Sequence, residues 1–390
     1  MTTSPTATML PVQQAERIQI LDILRGFAVF GILAVNIAGF ATPAFLPGYV
    51  QPITTPWYDH LAEALVQFFC EGKFYTIFSF LFGLGFSVQL ARSEAKGKDI
   101  RSFYPRRLWV LLGLGILHAI FLWLGDILRL YALLGFALLA FRTRRDRTLL
   151  IWAAILFVLS FVLVAFSSDD SAIPGFDMIG MTRQVYTSPS YLNVLIFQFF
   201  GSIASFIFIA LSQGPSVMAL FLLGLLAGRI KFFEQLEENR PRLQRILVVG
   251  LIVGLLGNAV YLFTENIWLG SLGLTVGAPA LAATYISGLS LLSLRPTGSK
   301  MIAPLANVGR MALSNYVLQS VVCAFMFGGF GFGLYEKVGA AGLLGITFAV
   351  YLLQIPLSAW WLGRFRFGPL EWVWRSLTYG QRQPMRKVAQ

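Results

Sequence analysis

The sequence predicts an all-α fold: a polytopic transmembrane helical bundle of about ten crossings, with one extra re-entrant or interfacial segment. Three observations carry this. The 390 residues are 57% hydrophobic and only 12% charged, with a mean hydropathy of +0.71, an apolar share above that of ordinary soluble domains. The apolar residues gather into runs near the ~20 residues that an α-helix needs to cross a bilayer, whereas a transmembrane β-barrel would show short alternating segments. The cationic residues collect in short loops between those runs, as they do in cytoplasmic loops.

Taken in order, residues 1–16 are polar, rich in Thr, Pro and Gln, and read as a disordered cytoplasmic tail. Residues 17–363 form the transmembrane domain and 364–390 a basic cytoplasmic tail. The first apolar run, about 22–41, opens with Asp22 and Arg25 and has no clean small-x-small cleavage site, so it reads as a retained helix. Segment 42–58 carries Pro and Gly and reads as an external loop; 59–72 is an amphipathic lead-in to a helix over 74–91. A loop with Arg92, Lys96, Lys98, Arg101, Arg106 and Arg107 precedes a helix over 108–124. The tetrad GDIL then turns the chain into a helix ending near 141, before the basic run RTRRDR. A helix over 148–166 and a polar loop over 167–190 follow, with later helices near 214–229, 246–263, 270–292, 311–334 and 340–362. Residues 191–211 are apolar enough to cross, but a crossing there would turn the basic loop of Arg229 and Arg245 outward. They are therefore expected to be re-entrant or interfacial, with an eleventh crossing as the alternative.

Charge supports one orientation. With both termini cytoplasmic, 26 of the 30 Lys and Arg residues fall on the inner side, leaving only Lys73, Arg129, Arg183 and Lys337 outside. The net charge of +12 therefore points to membrane sidedness rather than nucleic acid, which would need a basic face on a folded domain. Cys70 and Cys323 lie at or inside apolar segments, without the neighbouring ligands of a zinc site. No metal is expected. Walker, HExxH and GxSxG patterns are absent, and Gly224 and Gly228 form a GxxxG close-packing pattern.

Ionisable groups inside a membrane are costly and usually functional, which singles out His118 and Asp126. His118 lies roughly 16 Å into its helix at 1.5 Å per residue; it reads either as an interhelical hydrogen-bonding residue or as a general base. Asp126 reads as a turn residue capping the next helix, as a partner of Lys73, or as the group that orients His118. The last reading requires the helix to break, since eight residues span about 12 Å of straight helix. Asp22 and Arg25, at i,i+3, suit an ion pair, or Arg25 meets a phosphate. Asn36 lies about three turns deeper, where an amide can bridge helices. Arg310, Asn315 and Gln319 form a polar stripe that reads as interhelical bonding or, preferred here because it begins with a cation, as the wall of a wet cavity.

Five stretches, RIQILDILRGFAVFGILAVNI, GKFYTIFSFLFGLGF, LHAIFLWLGDILRLYALLG, GRMALSNYVLQS and GPLEWVWRSLT, together resemble the bacterial YeiB-type family of membrane proteins. That family is grouped with transmembrane acyltransferases such as heparan-alpha-glucosaminide N-acetyltransferase. The resemblance implies a helical bundle in the bacterial cytoplasmic (inner) membrane that takes an acyl group from cytosolic acyl-CoA, the donor substrate. The group would pass to a hydroxyl or amine of a glycan or lipid acceptor on the far side. The opening LDILRGFA also resembles the LDxLRGxA start of a family that acylates surface sugars, where a histidine follows the arginine by eleven positions. Here Arg25 matches, but Asn36 stands at the histidine position and an amide cannot act as a base. His118 is the natural substitute, because the other histidine, His60, lies at the outer interface.

In this reading Arg106, Arg107 and Arg142, with Arg101, Arg144 and Arg145, are candidates for the CoA pyrophosphate, and Asp126 with Lys73 shapes the outer mouth. The competing reading is a transporter or lipid flippase whose polar groups line a path without covalent chemistry. Membrane lipid is a partner in both, and homo-oligomerisation is left open.

Overall fold

The computed structural model describes residues 18–46, 49, 55–167 and 177–387; the expected 1–16 tail lies outside them. Among the described residues the chain is helical, its only strand-like feature an isolated bridge between Phe365 and Arg386. The helices are α1 (Gln19–Ala41), α2 (Trp57–Phe69), α3 (Lys73–Ala95), α4 (Tyr104–Phe121), α5 (Leu128–Ala140), α6 (Asp146–Ser167) and α7 (Met178–Tyr186). They continue as α8 (Tyr191–Arg229), α9 (Arg240–Phe263), α10 (Ile267–Ser293), α11 (Pro296–Arg310), α12 (Ala312–Phe327), α13 (Ala340–Arg364) and α14 (Pro369–Tyr379). Among the described residues seven are long and apolar enough to cross a membrane: α1, α2 and α3 taken together, α6, α8, α9, α10 and α13. α5 and α12 are shorter apolar helices. Large apolar side chains such as Val158, Phe200, Ile203, Leu256 and Leu353 are exposed around the bundle, the lipid-facing surface of a multi-pass membrane protein.

Three expectations change. Residues 191–211 are not a separate segment, since α8 runs unbroken for 39 residues, about 58 Å at 1.5 Å per residue. Pro215 lies inside the helix and does not end it. The helix expected over 311–334 stops at Phe327. The C-terminal segment is not merely a basic tail, because it folds into α14.

Two close backbone crossings place the site. A Cβ on Gly83 or Gly224 would overlap the carbonyl oxygen of Phe221 or Phe80, so α3 and α8 touch backbone to backbone. Likewise a Cβ on Gly26 or Gly309 would overlap the Leu305 or Asp22 carbonyl oxygen. This second crossing sets the N-terminal part of α1 and the C-terminal end of α11, with Arg25 and Arg310, beside each other.

Candidate functional site

The site is built on a helix break. α4 ends at Phe121 and α5 begins at Leu128. Leu122 and Trp123 both bond back to the His118 carbonyl (2.9 and 3.0 Å), and the freed backbone is satisfied by α8. Tyr191 Oη donates to Phe121 O (2.6 Å), Gln198 Nε2 to Leu122 O (3.3 Å) and Ser205 Oγ to Leu124 O (2.7 Å). Non-helical backbone at membrane depth is tolerated where it is buried in protein, and here α8 supplies that burial. Trp123, buried against Phe40 at 4.6 Å between ring centroids, anchors the turn.

The break folds Asp126 back onto His118. Asp126 Oδ2 lies 3.1 Å from His118 Nδ1, off the line of an ideal hydrogen bond, and both side chains are almost wholly buried. Asp126 Oδ1 accepts the Arg129 backbone N–H (3.0 Å), the expected cap of α5, and sits 3.4 Å from Arg129 Nε. Arg129, also buried, donates to the Ser202 and Leu124 carbonyls (2.8 and 3.4 Å). On the other side of the ring, His118 Nε2 lies 2.9 Å from Ser320 Oγ on α12. Tyr316, one turn earlier, packs over the imidazole at 4.9 Å, and its hydroxyl is buried with no hydrogen-bond partner among the described residues. A carboxylate only accepts, so a neutral imidazole that turns its N–H to Asp126 leaves Nε2 as an acceptor towards Ser320, whose hydroxyl also donates to the Tyr316 carbonyl (3.2 Å).

Tyr316 is also a wall of a cavity of about 340 Å³. Its interior is apolar, with Phe78, Phe82, Leu111 and Tyr131. Its rim carries six cations, Arg25, Arg92, Lys96, Arg107, Arg310 and Arg375, against Asp22 and Glu371. Arg25 pairs with Asp22 at 2.8 Å. α14 closes this end. Glu371 accepts the Leu313 and Ser314 backbone N–H groups (2.8 and 3.0 Å) at the start of α12. Trp374 donates to the Arg107 carbonyl (2.9 Å) and lies under its guanidinium. Burial pushes the Glu371 carboxyl above its ordinary range. Beyond the cluster, an apolar recess is lined by Phe121, Leu122, Ala324 and Phe330 among others. Leu122 and Ala324 are each one helical turn past His118 and Ser320.

Of the residues singled out from sequence, Asp22, Arg25, Arg107 and Arg310 line the cavity, and His118 and Asp126 meet behind it. The others do not join them. Lys73 is fully buried and bonds to the Gln67 carbonyl (2.9 Å) rather than to Asp126. Asn315 bonds to Ser358 Oγ (3.0 Å) and Gln319 to Gln354 Oε1 (2.8 Å), so the stripe beyond Arg310 is a seam joining α12 to α13, not a cavity wall. Asn36 is half-buried and lines neither pocket; Arg106 is exposed, and Arg142 bonds to the Leu139 carbonyl (3.0 Å) at the end of α5. Sequence reasoning missed Ser320, Tyr316, Arg129 and the supporting face of α8. Ser320 is the last residue of the quoted stretch GRMALSNYVLQS. Tyr191, Gln198, Ser202 and Ser205 follow helical spacings of seven, four and three, a one-sided polar pattern.

A family model described as "Protein of unknown function (DUF418)" matches residues 227–381, the part carrying Arg310, Tyr316, Ser320 and α14. The chain is 36% identical to "Uncharacterized protein YxaH" of Bacillus subtilis, over 98% of this chain and 99% of that protein. It is 32% identical to an "Uncharacterized 39.9 kDa protein in amylase 3'region" of Bacillus acidopullulyticus, over 97% and 98%. With "Uncharacterized protein YeiB" of Escherichia coli it shares 28% identity, over 93% and 96%.

Proposed function

We propose that this chain, which belongs to the YeiB-type family of membrane proteins, is an acyltransferase of the bacterial inner membrane. It takes an acyl group from cytosolic acyl-CoA and delivers it to a hydroxyl or amine of a glycan or lipid on the other side. The observation that carries this reading is the buried Asp126–His118 pair, one residue layer behind a cavity with six cations at its rim. Guanidinium groups match phosphate geometry, so Arg25, Arg92, Arg107, Arg310 and Arg375 suit the diphosphate of the donor. The apolar interior suits its pantetheine and acyl chain. His118, held in its basic tautomer by Asp126, removes the proton from the attacking group.

In this reading ten helices cross: α1, α3, α4, α5, α6, α8, α9, α10, α12 and α13. Both termini are then cytoplasmic, and α8 makes a single long pass that leaves the basic loop after Arg229 inside. The cavity rim belongs to the same inner side, and the recess at Phe121 and Ala324 opens towards the acceptor.

Purified protein in lipid nanodiscs, given radiolabelled acyl-CoA and a membrane lipid extract, tests this. Label should move to an acceptor, and His118→Ala should abolish the transfer while melting like the parent. A folded His118→Ala protein with full transfer would remove His118 from the chemistry.

A further inference from the structure

We infer that Ser320 carries the acyl group as a covalent ester between its two journeys, so that the reaction runs in two half-steps through an acyl-serine; this rests on the acyl-transfer reading above. Three observations converge on Ser320. Its Oγ is 2.9 Å from His118 Nε2, the nitrogen left as acceptor when Asp126 takes the other side of the ring. Nucleophile, base and orienting carboxylate therefore stand in a row, the geometry that activates a weak hydroxyl nucleophile. The row is also placed between two pockets: Tyr316, one turn before Ser320, walls the inner cavity, and Ala324, one turn after it, walls the outer recess.

A base acting alone would need donor and acceptor in the same space. A serine one helical turn from a wall of each pocket removes that requirement once each substrate is brought to it, because CoA can leave inward before the acceptor arrives. The Tyr316 hydroxyl, buried and without a hydrogen-bond partner among the described residues, belongs to the residue one turn before Ser320 and would serve as the donor to the oxygen that gains charge during attack.

The chemistry balances without a further reactant. In the first half-step Ser320 Oγ attacks the thioester carbonyl while its proton passes to His118 Nε2. The C–S bond breaks and the sulfur takes that proton, so CoA leaves as the thiol. In the second, the acceptor hydroxyl or amine gives its proton to His118 and attacks the ester. The Oγ–C bond then breaks, and Ser320 recovers the proton from His118.

The test uses the full-length protein in nanodiscs made from a single synthetic phosphatidylcholine, with ¹⁴C-acyl-CoA from acetyl to palmitoyl and no added acceptor. Wild type should release about one CoA thiol per chain in a burst and hold the label on a peptide containing Ser320. The bond should survive neutral hydroxylamine. Ser320→Cys should hold label that neutral hydroxylamine strips, a thioester signature that a merely structural serine would not produce. Ser320→Ala should hold none, and its steady-state transfer should fall by roughly 10³-fold or more. Two results overturn the inference separately. Ser320→Ala with wild-type transfer, and no labelled peptide in the parent, removes the covalent step but leaves acyl transfer standing. No CoA release from any acyl-CoA, with or without lipid extract, removes the acyl-transfer reading and this inference with it.

Discussion

Asp126→Asn is the substitution that separates what the buried carboxylate does for chemistry from what it does for the fold. The asparagine oxygen can still accept the Arg129 backbone N–H that caps α5, so the turn keeps its bond. Its amide group faces His118 Nδ1 and donates, which moves the imidazole proton to Nε2. Nε2 then points a hydrogen at Ser320 and cannot accept one. Transfer should fall by the worth of a positioned general base, roughly 10²–10⁴-fold. The fold loses something different. Arg129, 6% exposed, is left without its counter-charge, and breaking a buried pair costs about 3–5 kcal/mol. Because Arg129 keeps the Ser202 and Leu124 carbonyls, the low end applies, about 3 kcal/mol. Asp126→Asn/Arg129→Met removes the orphaned cation and should recover most of that stability but none of the activity. Melting in detergent and CoA-thiol release on wild type, both single variants and the double variant give the cycle. A stable Asp126→Asn protein with wild-type turnover refutes the reasoning.

Gln198→Leu strips the Leu122 carbonyl of its partner and should cost about 1–3 kcal/mol; hydrogen exchange should quicken over residues 122–127, and unchanged exchange would mean that α8 does not support the break. Arg25→Ala and Arg310→Ala should each raise the KM for acyl-CoA with little change in kcat, and flatten its dependence on salt; a lowered kcat at unchanged KM would place both outside the donor site. Glu371 predicts a pH effect. Burial holds its carboxyl above its ordinary value of 4.5, so the fold favours the protonated form. That stabilisation is complete below about pH 4.5 and is lost as pH rises through the higher folded value. Relative to Glu371→Gln, which keeps an acceptor for the Leu313 and Ser314 amides, wild-type melting temperature should fall on going from pH 4.5 towards neutrality. Parallel profiles would contradict this.

His118 and Asp126 were legible in the sequence because ionisable residues stand out in an apolar run, but their contact was legible only as a condition, a broken helix. The support for that break comes from α8, 70 or more residues further on. Its polar face lay in view as Tyr191, Gln198, Ser202 and Ser205, yet counting 191–211 and 214–229 as separate passes would have turned the basic loop of Arg229 and Arg245 outward, and setting 191–211 apart on that ground hid the continuous helix. Asn315 and Gln319 misled for a related reason. A polar residue on an apolar helix serves a neighbouring helix as well as a cavity, and their partners Ser358 and Gln354 belong to α13, beyond any local pattern. Charge alone described the C-terminal segment as a basic tail. Its other face, Glu371, Trp374 and Tyr379, lines the cavity, and that role depends on where α4 and α12 end.

The most direct test of the central claim, that an acyl group crosses while its carrier does not, is a sided assay. The protein is reconstituted in one orientation in vesicles, with doubly labelled acyl-CoA (acyl ¹⁴C, CoA ³H) on the α14 side and an extract of acceptor glycans and lipids on the other. The account predicts that ¹⁴C appears on acceptor across the membrane, that ³H stays as free CoA where it was added, and that His118→Ala abolishes both. Movement of an acceptor or lipid across the membrane with no acyl-CoA present, and no ¹⁴C transferred when it is added, would contradict the account and make the protein a transporter.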